Sequence, residues 1–331
     1  MQRQQLLNTW LTSLFPNQPY TLTPASADAS FRRYFRATFA DGTTRIVMDA
    51  PPEHEDCRPF LQVGKLFEAA GAHVPHVYAQ DLAQGFLLLS DLGNTTYLQA
   101  LNASTAKPLY AAATDALIKI QLASVAQNLP PYDEALLRRE LNLFPDWYIA
   151  QHLGVTLSAH QQSKLEEVFA RIVKNNLAQP MVYVHRDFHS RNLMVTDANT
   201  GVIDFQDAVY GPITYDLASL FKDAYIRWEE ADVMDWLITY WERARAAGLP
   251  VHGDFGEFYR DYEMMGAQRH LKVLGIFARL AIRDGKTGYV KDMPLVMDYL
   301  RRACVRYIDL KPLLNILDEL EPQIKHANFS V

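Results

Sequence analysis

Residues 185–192 read His-Arg-Asp-Phe-His-Ser-Arg-Asn, and Val-Ile-Asp-Phe follows at positions 202–205. Asp187 and Asn192 are five residues apart, and Asp204 comes seventeen residues after Asp187. One carboxylate of such a loop can lie near an incoming hydroxyl, while the Asn amide oxygen and the second carboxylate offer the hard oxygen ligands that Mg²⁺ prefers. Phosphoryl transfer requires a group that orients the nucleophile and ligands for the metal on the phosphates. The spacing therefore predicts a phosphoryl-transfer site rather than a polar turn between buried strands.

The sequence on either side of this loop divides into two lobes. Between positions 20 and 50 the residues favour strands, and the pair Asp41-Gly42 predicts a hairpin. After the turn-like stretch Ser-Asp-Leu-Gly at 90–93 the pattern is mostly helical. A length of 331 residues also suits about two domains of roughly 150 residues each. We therefore predict an α+β fold, with a small antiparallel sheet and one helix in an N-lobe (1–92) and a larger, mostly helical C-lobe (93–331).

Three finer expectations concern the C-lobe. Residues 181–184 and 193–204 have the composition of a pair of short strands, and residues 292–319 have the pattern of one long helix. The stretch His-Gly-Asp-Phe at 252–255 imitates the loop described above. Because no Asn stands five residues after Asp254, this stretch is predicted to be a loop before a helix.

Composition narrows the class of protein. Hydrophobic residues make up 49% of the chain and charged residues 21%, and the formal net charge is −6, as in an ordinary folded protein without a basic nucleic-acid surface or polybasic anchor. Two cysteines, Cys57 and Cys304, are too few for a disulfide framework. The first residues lack the apolar core of a signal peptide, and no apolar stretch approaches the roughly 18 residues that span a bilayer. We expect a cytoplasmic protein without a nucleic-acid or membrane partner, and the sequence implies no protein partner.

The loop at 185–192 resembles the catalytic loop of the aminoglycoside phosphotransferase family, relatives of the protein kinases, whose usual form is His-Gly-Asp-x-His-x-x-Asn. Asp187, His189 and Asn192 match this form, whereas Arg186 stands where the family more often has Gly and protein kinases have Arg. The resemblance in lobe order covers nearly the whole chain. It implies a two-lobed, protein-kinase-like fold and a small-molecule kinase that uses ATP and Mg²⁺ and acts on a small-molecule substrate.

Two later stretches extend this resemblance. Ile-Asp-Phe-Gln-Asp at 203–207 is similar to the family's metal-binding motif, and Tyr-Asp-Leu-Ala at 215–218 is similar to its helix-opening motif. The resemblance implies the following roles: catalytic base for Asp187, Mg²⁺ ligands for Asn192 and Asp204, and structural brace of the catalytic loop for Asp216.

Four further stretches resemble bacterial anomeric sugar kinases. They are Ala-Asp-Ala-Ser-Phe-Arg-Arg-Tyr-Phe-Arg at 27–36, Met-Asp-Ala-Pro-Pro-Glu at 48–53, Leu-Ser-Asp-Leu-Gly at 89–93 and Phe-Pro-Asp-Trp-Tyr at 144–148. Those enzymes phosphorylate the C1 hydroxyl of N-acetylmuramate and N-acetylglucosamine in peptidoglycan recycling, so the resemblance implies the same acceptors here. A kinase for another small alcohol, of the aminoglycoside, choline or homoserine type, stays open as an alternative.

One departure from the family concerns the third strand, where most members carry a Lys that pairs with the α- and β-phosphates. Met48 stands at the aligned position, and no Lys lies near it. Arg32, Arg33 or Arg45 is expected to neutralise the phosphates instead, because a guanidinium can donate to two phosphate oxygens at once. A nucleotide-binding pseudokinase is the alternative that the missing Lys leaves open.

The remaining candidates line the expected nucleotide and acceptor sites. A loop of small residues and a hinge after the last strand predict the ATP-binding residues Ser30, Arg32, Arg33, Val47, Leu89, Ser90 and Leu92. Cationic, acidic and aromatic side chains near the catalytic loop predict the acceptor-binding residues His189, Arg191, Asp207, Tyr225 and Arg227. An Arg among them would suit the carboxylate of an acidic sugar.

Overall fold

The computed structural model describes residues 2–27, 31–197 and 199–324. In chain order its elements are α1 (Gln2–Leu14), β1 (Tyr20–Ala27), β2 (Arg33–Phe39), β3 (Thr44–Asp49), α2 (Arg58–Ala69), β4 (Val77–Asp81), β5 (Phe86–Ser90), α3 (Tyr97–Ala100), α4 (Ala106–Leu122), α5 (Glu134–Leu143), a π-helix (Phe144–His152), α6 (Ala159–Ala178), β6 (Met181–Val184), β7 (Leu193–Met194), β8 (Gly201–Val202), β9 (Val209–Pro212), α7 (Tyr215–Phe221), α8 (Glu230–Ala246), α9 (Phe255–Arg283), a 3₁₀-helix (Thr287–Asp292), α10 (Met293–Arg306), a second 3₁₀-helix (Ile308–Leu310) and α11 (Lys311–Glu319).

These elements form two compact units. The first comprises Met1–Ala100 and Asn192–Asp207, and the second comprises Leu101–Arg191 and Ala208–Val331. The first unit thus includes residues 192–207, which the predicted boundary after residue 92 assigns to the C-lobe. Backbone hydrogen bonds explain why this segment belongs there: the amide of Val202 donates to the carbonyl of His73 (2.8 Å), and the amide of Val195 donates to the carbonyl of Thr95 (2.9 Å).

The first unit is built on a five-stranded antiparallel sheet with the order β1-β2-β3-β5-β4. The predicted hairpin joins β2 to β3. Gly42 has a φ of +83°, a conformation that favours glycine, and the carboxylate of Asp41 accepts a hydrogen bond from the amide of Thr43 at 2.9 Å. Local turn chemistry therefore sets the register of these two strands.

Helix α1 completes the core on one face of this sheet. Leu7 and Leu11 of α1 are fully buried in a cluster with Val47, Phe86 and Leu88 from the neighbouring strands. Burial of each large aliphatic or aromatic side chain stabilises the fold by about 1.5–3 kcal/mol. The face of β3 that carries Val47 is therefore part of the core beneath α1.

In the second unit several helices pack against α9. This helix of 29 residues contacts α5, the π-helix, α6, α7 and α10, and it is buried along most of its length. Gly275 allows α9 to pack closely against the end of α5, because a Cβ atom at this position would lie 2.3 Å from the carbonyl oxygen of Leu143. The carboxylate of Asp254 caps the first turn by accepting from the amide of Glu257 at 3.0 Å, so the stretch at 252–255 is a loop before a helix, as predicted.

Two finer expectations were wrong. Residues 193–204 do not form one strand: β7 and β8 make a short hairpin, and the partner of β6 is β9, with Met181 opposite Pro212 and Val184 opposite Val209. Residues 292–319 form α10 and α11 rather than a single helix. Tyr307 is extended between them, and Pro312 lies in the first turn of α11, where proline is tolerated but cannot continue a preceding helix.

Candidate active site

The catalytic loop begins where β6 ends, and a buried carboxylate holds its first residues. Asp216, in the first turn of α7, is fully buried and accepts hydrogen bonds from the backbone amides of His185 (2.7 Å) and Arg186 (3.0 Å). Burial raises the pKa of Asp216 to about 6. Loss of this carboxylate would leave two N–H donors without their partner, which is costly in a protein interior. The geometry is that of the brace that the family resemblance implies.

A charge network supports the residue that replaces the family's glycine. Arg186 has a φ of +76°, in the left-handed region that is unfavourable for residues other than glycine. Its guanidinium pairs with Glu140 of α5 at 2.5 Å, and the ammonium of Lys272 lies 3.3 Å from the same carboxylate. The hydroxyl of Tyr132 also donates to Glu140. Three residues far apart in the sequence thus stabilise a single unfavourable backbone conformation.

Electrostatics in the second unit keep Asp187 ionised. Burial acts to raise its pKa, but nearby positive charges outweigh this effect and lower the pKa to about 2. The lasting positive charges are those of Lys272, Arg269 and Arg186, in that order of size. Burial lowers the pKa of His189, so its ring adds charge only in acid. A carboxylate with so low a pKa is a weak base, but it stays ionised at neutral pH and can only accept hydrogen bonds, so it is suited to orienting a hydroxyl. Lys272 and Arg186 therefore act on both Glu140 and Asp187.

The predicted acceptor residues of the second unit fall into two groups. Asp223 accepts hydrogen bonds from the amides of Ser190 (2.9 Å) and Tyr225 (3.0 Å) and so connects the catalytic loop to the segment after α7. The guanidinium of Arg191 lies 3.5 Å from the ring centroid of Tyr225, and the His189 ring is 5.5 Å from that ring. These side chains form one cluster. Outside it, Arg227 is exposed and pairs with Asp298 at 3.2 Å.

The two candidate metal ligands lie together in the first unit. The amide nitrogen of Asn192 is 3.3 Å from a carboxylate oxygen of Asp204, and the other oxygen of Asp204 accepts from the Gln206 amide at 2.8 Å. Within the described ranges, no three His, Cys, Asp or Glu side chains cluster in a way that could hold a metal. An amide oxygen and one carboxylate fit Mg²⁺ in a kinase, where phosphates and water complete the shell. Asp207 is exposed and belongs to the same unit.

Aromatic packing holds the segment that carries Asp204. Phe205 is fully buried, with its ring 4.8 Å from Phe60 and 5.9 Å from Phe67, both on α2. Gly64, on the same helix, leaves room for the Phe205 ring, since a Cβ atom there would be 3.4 Å from it. The carboxylate next to Phe205 is therefore attached to a rigid helix and not to a free loop.

The cations proposed to replace the strand lysine have different partners. Arg32 pairs with Glu55 at 3.1 Å. Burial acts to lower the pKa of the Arg32 guanidinium, but interactions with Tyr34, Glu55 and Asp204 outweigh burial and raise this pKa. The other two point elsewhere: Arg33 pairs with the buried Asp49, which also holds Arg3 at 2.6 Å, and Arg45 lies 4.5 Å from the ring of Tyr78. Arg32 is therefore the candidate whose charge interacts with the metal-ligand carboxylate.

The other predicted nucleotide residues lie along β3, β5 and the segment after it. Val47 has no exposed surface and lies in the core under α1, on the face of β3 opposite its neighbour Met48. Leu89 and Leu92 are buried, and the Ser90 hydroxyl accepts from the amide of His76 at 2.9 Å. Ser30 lies outside the described residues. The contacts of these side chains with a nucleotide stay predictions.

Sequence reasoning missed Glu140, Arg269 and Lys272. Each lies on a helix or just after one, many positions away from the motif, and resembles an ordinary surface charge. One signal was available for α9: Arg269 and Lys272 occur in a stretch where most neighbours are apolar or small, and a charge at such a position has to be paired or used.

The antiparallel sheet, the helical second unit and this loop define a kinase-like phosphotransferase. The family model described as the phosphotransferase enzyme family matches residues 21–255, and the chain belongs to that family. The kinase-like fold is confirmed by solved structures that are similar at low sequence identity. A choline/ethanolamine kinase family protein from Mesorhizobium loti has a TM-score of 0.61 at 14% identity, with 95% of this chain and 98% of that chain covered. A Plasmodium vivax ethanolamine kinase has a TM-score of 0.62 at 11% identity, with 89% and 85% covered.

Curated relatives are similar over almost the full length. The chain is 51% identical over 324 residues to the N-acetylmuramate/N-acetylglucosamine kinase of Neisseria meningitidis serogroup B, with 97% of this chain and 96% of that protein covered. It is 50% identical over 328 residues to the Pseudomonas aeruginosa protein of the same name, with 96% and 97% covered. Among the helices of the described residues, none is both long and apolar enough to cross a membrane.

Proposed function

We propose that the protein is an ATP- and Mg²⁺-dependent kinase that phosphorylates the anomeric (C1) hydroxyl of N-acetylmuramate and N-acetylglucosamine in peptidoglycan recycling. The observation that carries this proposal is identity of about half of all residues, over nearly the whole length, to kinases named for these two sugars. The ionised Asp187 on a braced loop and the Asn192–Asp204 pair supply the groups that phosphoryl transfer needs.

In this mechanism Asp187 accepts a hydrogen bond from the C1 hydroxyl and orients its oxygen toward the phosphorus. An anomeric hydroxyl is more acidic than an ordinary alcohol, and the pKa of Asp187 is about 2, so positioning rather than strong basicity is its main contribution. Asp216 keeps the loop backbone in place while the oxygen attacks in line, and Arg186 keeps its left-handed conformation through Glu140.

Asn192 and Asp204 would hold Mg²⁺, since they offer an amide oxygen and a carboxylate oxygen. When bound, Mg²⁺ neutralises charge that develops on the β- and γ-phosphates. Arg32 supplies the cation that most relatives provide from the third strand, and Glu55 fixes its guanidinium, much as a glutamate fixes the strand lysine of protein kinases. This arrangement offers a phosphate-binding cation although Met48 occupies the lysine position, and it favours an active kinase over a pseudokinase.

Replacement of Arg32 by Met is expected to raise the Kd for Mg·ATP by roughly 10- to 100-fold, the usual value of hydrogen bonds to a charged group. The measurement is titration calorimetry with a non-hydrolysable ATP analogue. Arg58→Met is the matched control, because Arg58 is exposed and pairs only with its neighbour Asp56 among the described residues. Equal affinities of wild type and Arg32→Met would show that another group binds the phosphates.

The function itself is tested by ATP consumption with Mg²⁺ on N-acetylmuramate, N-acetylglucosamine, glucose, kanamycin and choline. We expect turnover with the two N-acetyl sugars, giving an acid-labile and alkali-stable sugar 1-phosphate, and no turnover when Mg²⁺ is chelated. Turnover with kanamycin or choline alone would support kinase activity but contradict the assignment of the two N-acetyl sugars as acceptors. ATP binding without turnover on any acceptor would identify a pseudokinase.

A further inference from the structure

Helix α9 carries a buried guanidinium, that of Arg269, for which the described residues supply no hydrogen-bond partner at Nη1. Arg269 is only 4% exposed, its Nη1 atom is buried with no hydrogen-bond partner, and it forms no ion pair with any residue that the structure describes. The neighbouring buried cations behave differently, since Lys222 pairs with Glu263 at 2.5 Å and Lys272 lies 3.3 Å from Glu140. An unpaired buried charge is expensive, so an arginine in this position calls for an anion from outside the chain.

The place of Arg269 in the second unit identifies where that anion binds. Arg269 lies one turn of α9 before Lys272, whose ammonium is 3.3 Å from the Glu140 carboxylate that also pairs with Arg186 of the catalytic loop. Consistent with this position, its charge acts on Asp187, His189 and Tyr225. Two more polar atoms of the catalytic loop, Nδ1 of His189 and the hydroxyl oxygen of Ser190, are buried without a hydrogen-bond partner among the described residues. Buried polar atoms are nearly always hydrogen-bonded. Other exceptions, such as the Tyr262 hydroxyl, lie elsewhere in the described residues, but these three belong to the catalytic loop or to a cation that acts on it, so a bound acceptor can supply their partners.

The charge balance explains why an acceptor carboxylate is the fitting anion. Lys272 and Arg186 are shared by Glu140 and Asp187, so these two cations are already matched by two carboxylates. Arg269 also acts on Asp187, but unlike these two cations it has no carboxylate within ion-pair distance among the described residues. Without Arg269, Asp187 would repel an acidic acceptor from the hydroxyl-binding position. A planar guanidinium can also bind both oxygens of a carboxylate at once.

We propose that Arg269 binds the carboxylate of the acceptor, which in the proposed function is the lactyl group that N-acetylmuramate has and N-acetylglucosamine lacks. This assignment rests on the proposed function. It places the recognition of the acidic sugar on α9 and not on the two arginines suggested by the sequence. Of those two, Arg191 stacks on Tyr225 and Arg227 pairs with Asp298.

The two sugars make a selective test, because they share the reacting hydroxyl and differ by the carboxylate-bearing group. We expect Arg269→Gln to lower kcat/KM for N-acetylmuramate about 10- to 100-fold more than for N-acetylglucosamine, mainly through KM, since a charge-assisted hydrogen bond is lost. In Arg269→Lys, which keeps the positive charge, the losses of kcat/KM on the two sugars should differ less than they do in Arg269→Gln. The matched control is Arg260→Gln on the same helix, where the native guanidinium pairs with Asp309 at 2.8 Å; it should leave the ratio of the two sugars unchanged.

Equal losses on both sugars would overturn the assignment, because a residue that binds the transferred phosphoryl group or only supports the fold affects both acceptors alike. Unchanged kcat/KM for both sugars would overturn it as well. If Arg269→Gln does not fold, as judged by its thermal transition, the same comparison is made with Arg269→Lys. A larger loss of kcat/KM on N-acetylmuramate than on N-acetylglucosamine would then support the assignment, and equal losses would contradict it. Wild-type protein that turns over neither sugar would reject the proposed function, a result distinct from active wild type with equal losses in the variants.

Discussion

Asp187→Asn is expected to lower kcat by roughly 10²- to 10⁴-fold on both sugars, the contribution that a positioned acid–base group makes. The amide cannot accept the hydroxyl proton, and its NH₂ group can present a donor where the hydroxyl needs an acceptor. The substitution is nearly isosteric and removes one negative charge beside Lys272, Arg186 and Arg269. The KM for ATP should change little, because Asp187 is assigned to the acceptor hydroxyl and not to the nucleotide or the metal ion.

The chain contains its own control for this experiment. Asp254 occurs in the similar stretch His-Gly-Asp-Phe, but its carboxylate caps α9 at 3.0 Å from the amide of Glu257. Because Asn is about as good a helix cap as Asp, Asp254→Asn should keep both activity and stability. Steady-state kinetics on the two variants, with thermal transitions as a check of folding, give the comparison. An Asp187→Asn variant with near-wild-type kcat would contradict the assigned role.

Glu140→Gln is expected to destabilise the protein by about 3–5 kcal/mol, the usual cost of breaking a buried ion pair from one side. Glu140 is 4% exposed and balances both Arg186 and Lys272. These cations outweigh the effect of burial and lower the pKa of Glu140 below its ordinary value of 4.5. The ionised carboxylate therefore contributes stability at neutral pH, and this contribution disappears as the pH falls below its ordinary pKa. The difference between wild type and variant should shrink in the same direction.

A double-mutant cycle separates the ion pair from general disruption. Arg186→Gly introduces the residue that the family usually has, and glycine tolerates the φ of +76° without strain. We expect Glu140→Gln to cost less in the Arg186→Gly background than in the wild type, with a coupling energy of about 1–3 kcal/mol from denaturant midpoints. Additive effects, or a loss below about 1 kcal/mol for Glu140→Gln alone, would show that the network does not stabilise the loop. A kcat that falls more than the amount of folded protein would indicate that the network also positions Asp187.

Local sequence was a good guide to some features of the fold. The Asp41-Gly42 hairpin, the loop that precedes α9 and the change from a sheet to helices follow from residues close together in the chain, and the structure contains all three. The boundary near Pro312 and the pairing of β6 with β9 were missed. Pro312 could have predicted the break between α10 and α11, but the apolar pattern on both sides of it is continuous and favoured a single helix. The pairing of β6 with β9 joins segments far apart in the sequence, so the residue pattern of either strand alone cannot predict it.

The sequence by itself determined the family, the kinase-like fold class and the candidate groups of the catalytic loop, because the spacing of Asp187, Asn192 and Asp204 lies within one continuous segment. Only the tertiary structure showed what surrounds that loop. Glu140, Arg186 and Lys272 come from α5, the loop and α9, and Arg269 lies unpaired one turn of α9 away from Lys272. A linear pattern records the spacing of neighbours along one element. Whether a distant charge is buried, paired or left for a ligand depends on how helices pack, and packing is decided by the whole chain at once.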